Sequence, residues 1–302
     1  MRRAQLWLGT LVEISIDASS PETAEQGIAA AFAAIARVHR ALSLHDPSSE
    51  LSQVNRNAFT ALQPISADLR AVLACALEVS ARSDGAFDPT VGERVAAMGF
   101  LPPQAHSERN VSWRDVQLTR RGVRFAKPLV LDFGGIAKGY AVDRAVDALR
   151  RHGVAAGRVN AGGDLRVFGK QSLCVHVRTG GPQGIVVPLV ALTDGAVATS
   201  AYGGQRRRIG GRWATSLIDP RRRLPIMSTR TVSVVAPTCM VADALTKVVA
   251  LRGAAAAAVL AAYGASATLL SPAAGRWRCT QLPPMRRTPP HSGATAPVPA
   301  LA

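Results

Sequence analysis

A single α+β domain, with mixed sheets and packed helices, is what the sequence predicts for residues 1–282. Three observations predict it. Short runs that alternate apolar and polar residues, as half-buried strands do, are interleaved with longer runs carrying apolar residues at helical spacing, and they follow no regular strand–helix–strand period. Hydrophobic residues make up 48% of the 302-residue chain, enough for a sizeable core. After Leu282 the composition shifts abruptly to Pro283-Pro284-Met285-Arg286-Arg287-Thr288-Pro289-Pro290 and then small residues, so residues 283–302 are expected to form a disordered tail.

Leu11 to Asp17 alternates as a half-buried strand. Ser19-Ser20-Pro21-Glu22 then starts a helix, because serine suits the cap, proline the first turn, and an acid the positive end of the macrodipole. That helix is expected to run to about Leu44, with Ile28, Ala31, Phe32, Ile35 and Val38 along one face. A second is expected over Ala67 to Ser83, ending at Asp84-Gly85, where glycine suits a left-handed cap. Val116 to Leu118 and Gly122 to Phe125 read as a hairpin, and Leu129 to Asp132 as a buried strand leading into a glycine-rich turn and a helix from Lys138 to Arg151. Strands and turns dominate Arg158 to Ile226, followed by a strand from Thr231 to Ala236 and helices over Met240 to Leu251 and Ala254 to Tyr263. No internal repeat is evident.

The net charge of +16 suggests nucleic acid at first. Only four of the 36 basic residues are lysines, however, and the arginines are spread among alanines as a compositional bias would spread them, with no recognised nucleic-acid module. Nucleic acid is therefore not the expected partner, and Arg206-Arg207-Arg208 and Arg221-Arg222-Arg223 read mainly as solvated loops. Cys75, Cys174, Cys239 and Cys279 show no metal-site spacing and read as mainly buried thiols. Arg2-Arg3 is basic, but Gly9-Thr10 and Glu13 interrupt the following apolar run too early for a secretory signal, and no transmembrane stretch is read in the sequence. As given, the chain reads as cytoplasmic, with export open if translation starts upstream.

The strongest local signal is Leu131-Asp132-Phe133-Gly134-Gly135-Ile136-Ala137-Lys138-Gly139-Tyr140-Ala141-Val142-Asp143. Here a strand is expected to end, paired glycines to bend the backbone, and a helix to begin, so backbone N–H groups and a lysine could meet a phosphate. Alone, the stretch could equally be a plain connection.

It is similar to the DLGGIAKGYAVD signature of the ApbE family, and other matches follow in order. Leu8-Gly9-Thr10 resembles that family's MGT, His45-Asp46-Pro47-Ser48-Ser49-Glu50-Leu51-Ser52-Gln53-Val54-Asn55 its D-P-x-SELSxxN segment, and Gly85 to Gly92 its GAFDPTVG loop. Asn160-Ala161-Gly162-Gly163-Asp164, Ala198 to Tyr202, Ile218-Asp219-Pro220 and Ala242-Asp243-Ala244-Leu245-Thr246 complete the set, which spans roughly Leu6 to Gly253.

The resemblance implies an ApbE-like (T-fold-like) domain that binds FAD and Mg²⁺ and moves FMN from FAD to a threonine or serine hydroxyl of an acceptor flavoprotein, releasing AMP. Some relatives instead hydrolyse FAD. By the same resemblance, Leu8, His45, Ala86, Phe87, Asp88, Asp132, Lys138 and Ile218 contact FAD, while the Gly135 carbonyl, Asp243 and Thr246 hold the metal. His45 stands where tyrosine is usual, and either stacks on a flat ring or sits in a surface loop. Two positions depart from the pattern. Lys247 replaces the usual metal-site threonine, so that either Thr246 supplies the oxygen, or the lysine ammonium intrudes and replaces part of the metal's charge, or it contacts the pyrophosphate directly and less metal is needed. Ser216 replaces the HxIDP histidine, which leaves Asp219 as a substitute base, or else a protein that binds FAD without transferring FMN.

Overall fold

The computed structural model describes residues 1–104, 107–179, 185–202, 206–209, 211–273 and 276–282. The expected tail, residues 283–302, lies outside these, and the described part is an α+β fold built on one sheet of eight strands. In chain order the elements begin with β1 (Arg2–Trp7), β2 (Thr10–Asp17), α1 (Pro21–Leu42), α2 (Glu50–Asn57), α3 (Ala67–Arg82) and α4 (Gly92–Ala97). Next come β3 (Val116–Thr119), β4 (Gly122–Phe125), α5 (Ala137–Arg151), β5 (Ala156–Ala161), β6 (Asp164–Phe168), β7 (Leu173–Arg178), β8 (Val186–Leu192) and β9 (Gly195–Ala201). Short pieces follow, β10 (Arg207–Ile209), β11 (Arg212–Ala214), β12 (Ile218–Asp219) and β13 (Leu224–Pro225), then β14 (Thr231–Ala236), α6 (Cys239–Arg252), α7 (Ala257–Ala262), β15 (Ser266–Ala273) and β16 (Arg276–Leu282).

The sheet order is β1-β2-β5-β6-β9-β14-β15-β16, antiparallel throughout. Alternation in β2 turns Val12, Ile14 and Ile16 inward, and α1, α5 and α6 form the helical layer packed on the sheet. The hairpin β7–β8 packs a smaller apolar cluster, Val167, Val175, Leu192 and Val197, apart from the main core. Residues 2–7, whose basic start invited comparison with a signal sequence, instead pair as β1 with β2 across the two-residue turn Leu8-Gly9. Both turn residues have positive φ, 56° and 71°, as a hairpin turn that matches strand twist requires. A leucine there is strained, and holds that conformation because the pairing on both sides dictates it.

Ser20 caps α1 by accepting from the Thr23 N–H, with Pro21 in the first turn, as expected. The expected helix at Ala254 to Tyr263 begins as a tight turn and becomes regular only at α7. The expected strand at Leu129 to Asp132 is corrected. Leu129, Val130 and Leu131 are buried, but the side chain of Asn55 accepts from the Leu131 N–H and donates to its carbonyl, both at 2.9 Å. Pro89 accepts from the Asp132 N–H, and Val130 accepts from the Gly92 N–H. A side-chain amide and a neighbouring loop thus replace a strand partner, which periodicity cannot reveal. Two cysteines, Cys75 and Cys239, are buried as expected, whereas Cys174 and Cys279 are exposed on β7 and β16, whose outer positions face solvent. No transmembrane stretch is expected from the sequence, yet residues Cys239–Ala262 are apolar and long enough to cross a membrane by length and composition. Here α6 packs against β9 and β14, and a core helix meets the same test.

Candidate active site

The first turns of α5 and α6 meet at the centre of the domain. Gly139 makes this approach possible, because a Cβ there would lie 2.2 Å from the carbonyl oxygen of Cys239. From α5, the carboxylate of Asp143 accepts from the Cys239 and Met240 N–H groups, each at 2.9 Å, and from the Arg166 guanidinium at 2.6 Å. One helix therefore caps the other through a buried, paired carboxylate.

Four charges collect beside this junction. Lys138 Nζ bonds Asp164 Oδ2 and lies 3.8 Å from Asp243 Oδ2, while Lys247 Nζ bonds Asp243 Oδ1 and, at 3.2 Å, the Asp243 carbonyl. Asp164 and Asp243 are buried, at 1% and 0% exposure. Burial alone would push the Asp243 carboxyl up, but the Lys138 and Lys247 ammoniums outweigh it and hold the group below its usual range. Asp164 is pushed up, first by burial and then by repulsion from Asp243. Although burial works against the charged amine of Lys138, the two carboxylates raise it above its ordinary value and keep it charged.

In front of the lysines opens a cleft of about 380 Å³, within the range of small-molecule sites. Its walls carry His45, Ala86, Phe87 and Asp88 from one loop pair, Asp132, Gly134, Gly135 and Lys138 from the glycine turn, and Ser216, Leu217 and Ile218 from the segment around β12. Phe100, Leu101, Val91 and Val95 supply apolar surface, Thr199 and Ser200 come from β9, Tyr202 follows that strand, and Gly162 lies in the β5–β6 turn. A wider groove along β15 and β16, about 540 Å³, is lined by no lysine and no carboxylate. Segments far apart in sequence thus converge on one pocket whose lining combines two lysines with apolar side chains, groups suited to an anion attached to a flat ring.

Comparison with known proteins decides the family, because the sequence model of the ApbE family matches residues 8–269. The chain belongs to the ApbE family. It is 30% identical over 263 residues to an FAD:protein FMN transferase of Rhodobacter capsulatus, covering 81% of this chain and 50% of that protein, so it spans half the length of that relative. It is also 30% identical to the FAD:protein FMN transferase of Haemophilus influenzae, covering 76% of this chain and 72% of that one. The flavin transferase ApbE from Vibrio cholerae shares the fold, with a TM-score of 0.79, 21% identity, and coverage of 94% of this chain and 97% of that one.

Of the residues expected to contact FAD in this ApbE chain, the structure brings His45, Ala86, Phe87, Asp88, Asp132, Lys138 and Ile218 to the cleft wall. Leu8 is not among the lining residues. It sits in the β1–β2 turn beside Thr10, which abuts Gly162, and Gly162 does line the cleft. Asp88 braces more than it reaches outward, accepting from the Thr90 N–H at 2.9 Å, its hydroxyl at 2.7 Å and the Trp113 N–H at 3.1 Å. Asp132 accepts from the Gly134 N–H at 2.8 Å, and burial pushes its carboxyl up. Asp219, expected as a base, faces a neighbouring smaller pocket, and its carboxylate accepts from the Arg221 and Arg222 N–H groups at 2.9 and 3.1 Å.

The metal set does not assemble as the resemblance implied. Gly135 lines the cleft, but Thr246 is fully buried, donating to the Asp243 carbonyl at 2.7 Å and pairing with the Ser200 hydroxyl at 2.9 Å. Asp243 offers Oδ1 to Lys247 and Oδ2 to the Gly139 N–H at 3.3 Å. Among the described residues, no group of three His, Cys, Asp or Glu side chains could hold a metal ion. Magnesium takes most of its six oxygens from water and phosphate but needs one or two protein carboxylates, and here the one in the set, Asp243, is enclosed and engaged by Lys247 and the Gly139 N–H while the Thr246 hydroxyl is turned to Ser200, so the side chains as placed do not fit it. Sequence reasoning missed the roles of Asp143, Asp164 and Asn55. All three stand inside matched motifs, which were the signal available, but their partners lie on other elements.

Proposed function

We propose that this chain is an FAD:protein FMN transferase, carrying FMN from FAD to a serine or threonine hydroxyl of an acceptor flavoprotein. The observation that carries the reading is that Lys138 and Lys247, which meet at the Asp243 carboxylate, line one cleft together with Phe87, Val95, Phe100 and Leu101. Such a pocket matches a pyrophosphate at the lysines and a flat ring against the apolar side chains. The names of the relatives support the same substrate. In the transfer, the acceptor oxygen bonds to the flavin-side phosphorus as the bond from that phosphorus to the bridging oxygen breaks. AMP leaves with the electron pair, and the hydroxyl proton passes to solvent or to a base. The lysines would neutralise charge developing on the phosphoryl oxygens.

One observation favours a second reading. Ser216, an exposed hydroxyl, lines the cleft where the family pattern carries histidine, and serine is no base near neutral pH. FAD held without transfer, or cleaved by water, fits that change. Purified protein incubated with FAD and an acceptor domain separates the readings. AMP release with a fluorescent acceptor is the expected result, AMP alone means hydrolysis, and bound flavin with neither means a carrier.

Asp219→Asn tests the remaining base candidate. Because its carboxylate holds the Arg221-Arg222 turn, the expected result is transfer within about threefold of wild type and a stability loss near 1 kcal/mol. A loss of transfer of a hundredfold with FAD binding unchanged would instead make Asp219 the base.

A further inference from the structure

We propose that the Lys247 ammonium takes the place of a divalent cation at this site, so that the chain binds the FAD pyrophosphate without a metal ion. The inference rests on the FAD reading above. Lys247 sits one helical turn after Asp243 on α6, which brings its ammonium back onto Oδ1 of that carboxylate. Its aliphatic stem crosses the glycine turn, where a Cβ on Gly135 would lie 3.0 Å from Lys247 Cε. The ammonium therefore occupies the space between the turn and Asp243, the two features that would have shared a metal.

Charge and burial point the same way. The cleft is lined by Lys138 and Lys247, whereas their partners Asp164 and Asp243 are not among its lining residues and lie buried, and the two carboxylates that do line it, Asp88 and Asp132, accept from the Thr90, Trp113 and Gly134 N–H groups. Two ammoniums balanced by two carboxylates make a neutral cluster that presents its positive side to a dianionic pyrophosphate. An added divalent ion would have to displace Lys247 from Asp243 and bring two more positive charges beside two that already share the same carboxylate. The reachable oxygens are also too few, since Thr246 is turned to Ser200 and Asp243 is fully enclosed. An ammonium offers three donors and a single charge without any requirement for octahedral geometry, so it can hold phosphate oxygens that shift during reaction.

The test is FAD titration, followed by flavin fluorescence, of wild-type protein in EDTA and in Mg²⁺, together with Mn²⁺ binding followed by electron paramagnetic resonance. Wild type is expected to bind FAD with affinities that agree within about threefold in the two buffers, and to take up no stoichiometric Mn²⁺ with or without FAD. Lys247→Thr restores an oxygen and removes the cation, and is expected to lose about tenfold or more of its FAD affinity in EDTA and to regain it with Mn²⁺ bound. FAD binding by wild type that collapses in EDTA and returns with Mg²⁺, or one Mn²⁺ bound per wild-type chain, overturns the inference while leaving the FAD reading intact. Absence of FAD uptake in either buffer overturns the FAD reading and this inference with it. The wild-type titrations decide the question even if Lys247→Thr does not fold.

Discussion

Lys138→Met is expected to abolish measurable FAD binding and to destabilise the domain by about 3 kcal/mol at pH 8. The stability loss arises at Asp164, which is 1% exposed and whose carboxylate is paired with Lys138. Removing the amine leaves a buried carboxylate without its counter-charge, whereas Asp243 keeps Lys247. Since burial already pushes the Asp164 carboxyl up, the variant can escape by protonating it. The sign of the pH effect follows: a folded-state carboxyl held above its unfolded value favours the folded protein at low pH and loses that advantage as pH rises. The deficit of the variant should therefore shrink towards pH 5 and be fullest at pH 8, which urea unfolding at the two values measures. Equal deficits would show that Asp164 is not the stranded group. Adding Asp164→Asn to Lys138→Met should recover most of the stability and none of the FAD binding, which separates the structural role of the lysine from its role towards ligand.

Asp143→Ala should cost about 4 kcal/mol, seen as a fall in Tm of roughly 10 °C. This carboxylate is 2% exposed and serves two elements at once. It accepts from the first N–H groups of α6, and it neutralises Arg166, whose side chain is 12% exposed on β6. Alanine leaves two buried donors and a guanidinium unpaired, and both costs are those of stranded groups rather than of lost attraction. Asp143→Asn keeps an acceptor and should lose about half as much. Because Asp243 lies on the second turn of α6, a loosened helix start should also weaken FAD binding in Asp143→Ala. A variant as stable as wild type would mean that helix docking rests on apolar packing around Gly139 instead.

Much of this was legible in the residues. Helix starts such as Ser20-Pro21 declare themselves because capping is a contact between neighbours in the chain, and the structure places that cap as expected. The cleft wall was legible through motif matching, which gathered seven of the eight expected FAD positions. The Leu129 to Asp132 segment was misread as a strand because a buried apolar run looks the same whether a strand or the amide of Asn55 satisfies its backbone. Thr246 was expected to hold a metal by resemblance, and its three-residue spacing does place it on one helix face with Asp243. Spacing does not say which oxygen finds Ser200 on a neighbouring strand first.

What the sequence alone determined was the family, the α+β class, the strand and helix periodicities, and the presence of a lysine where a metal-site threonine is usual. Those depend on residue identity and on contacts a few positions apart. Only the tertiary structure decided where Lys247 lies, which oxygens of Asp243 it leaves available, and that Asp143 joins two helices. The reason is that a buried charge is settled by whichever partners the fold brings within about 3 Å, and here those partners come from α5, α6 and β6, up to 104 residues apart.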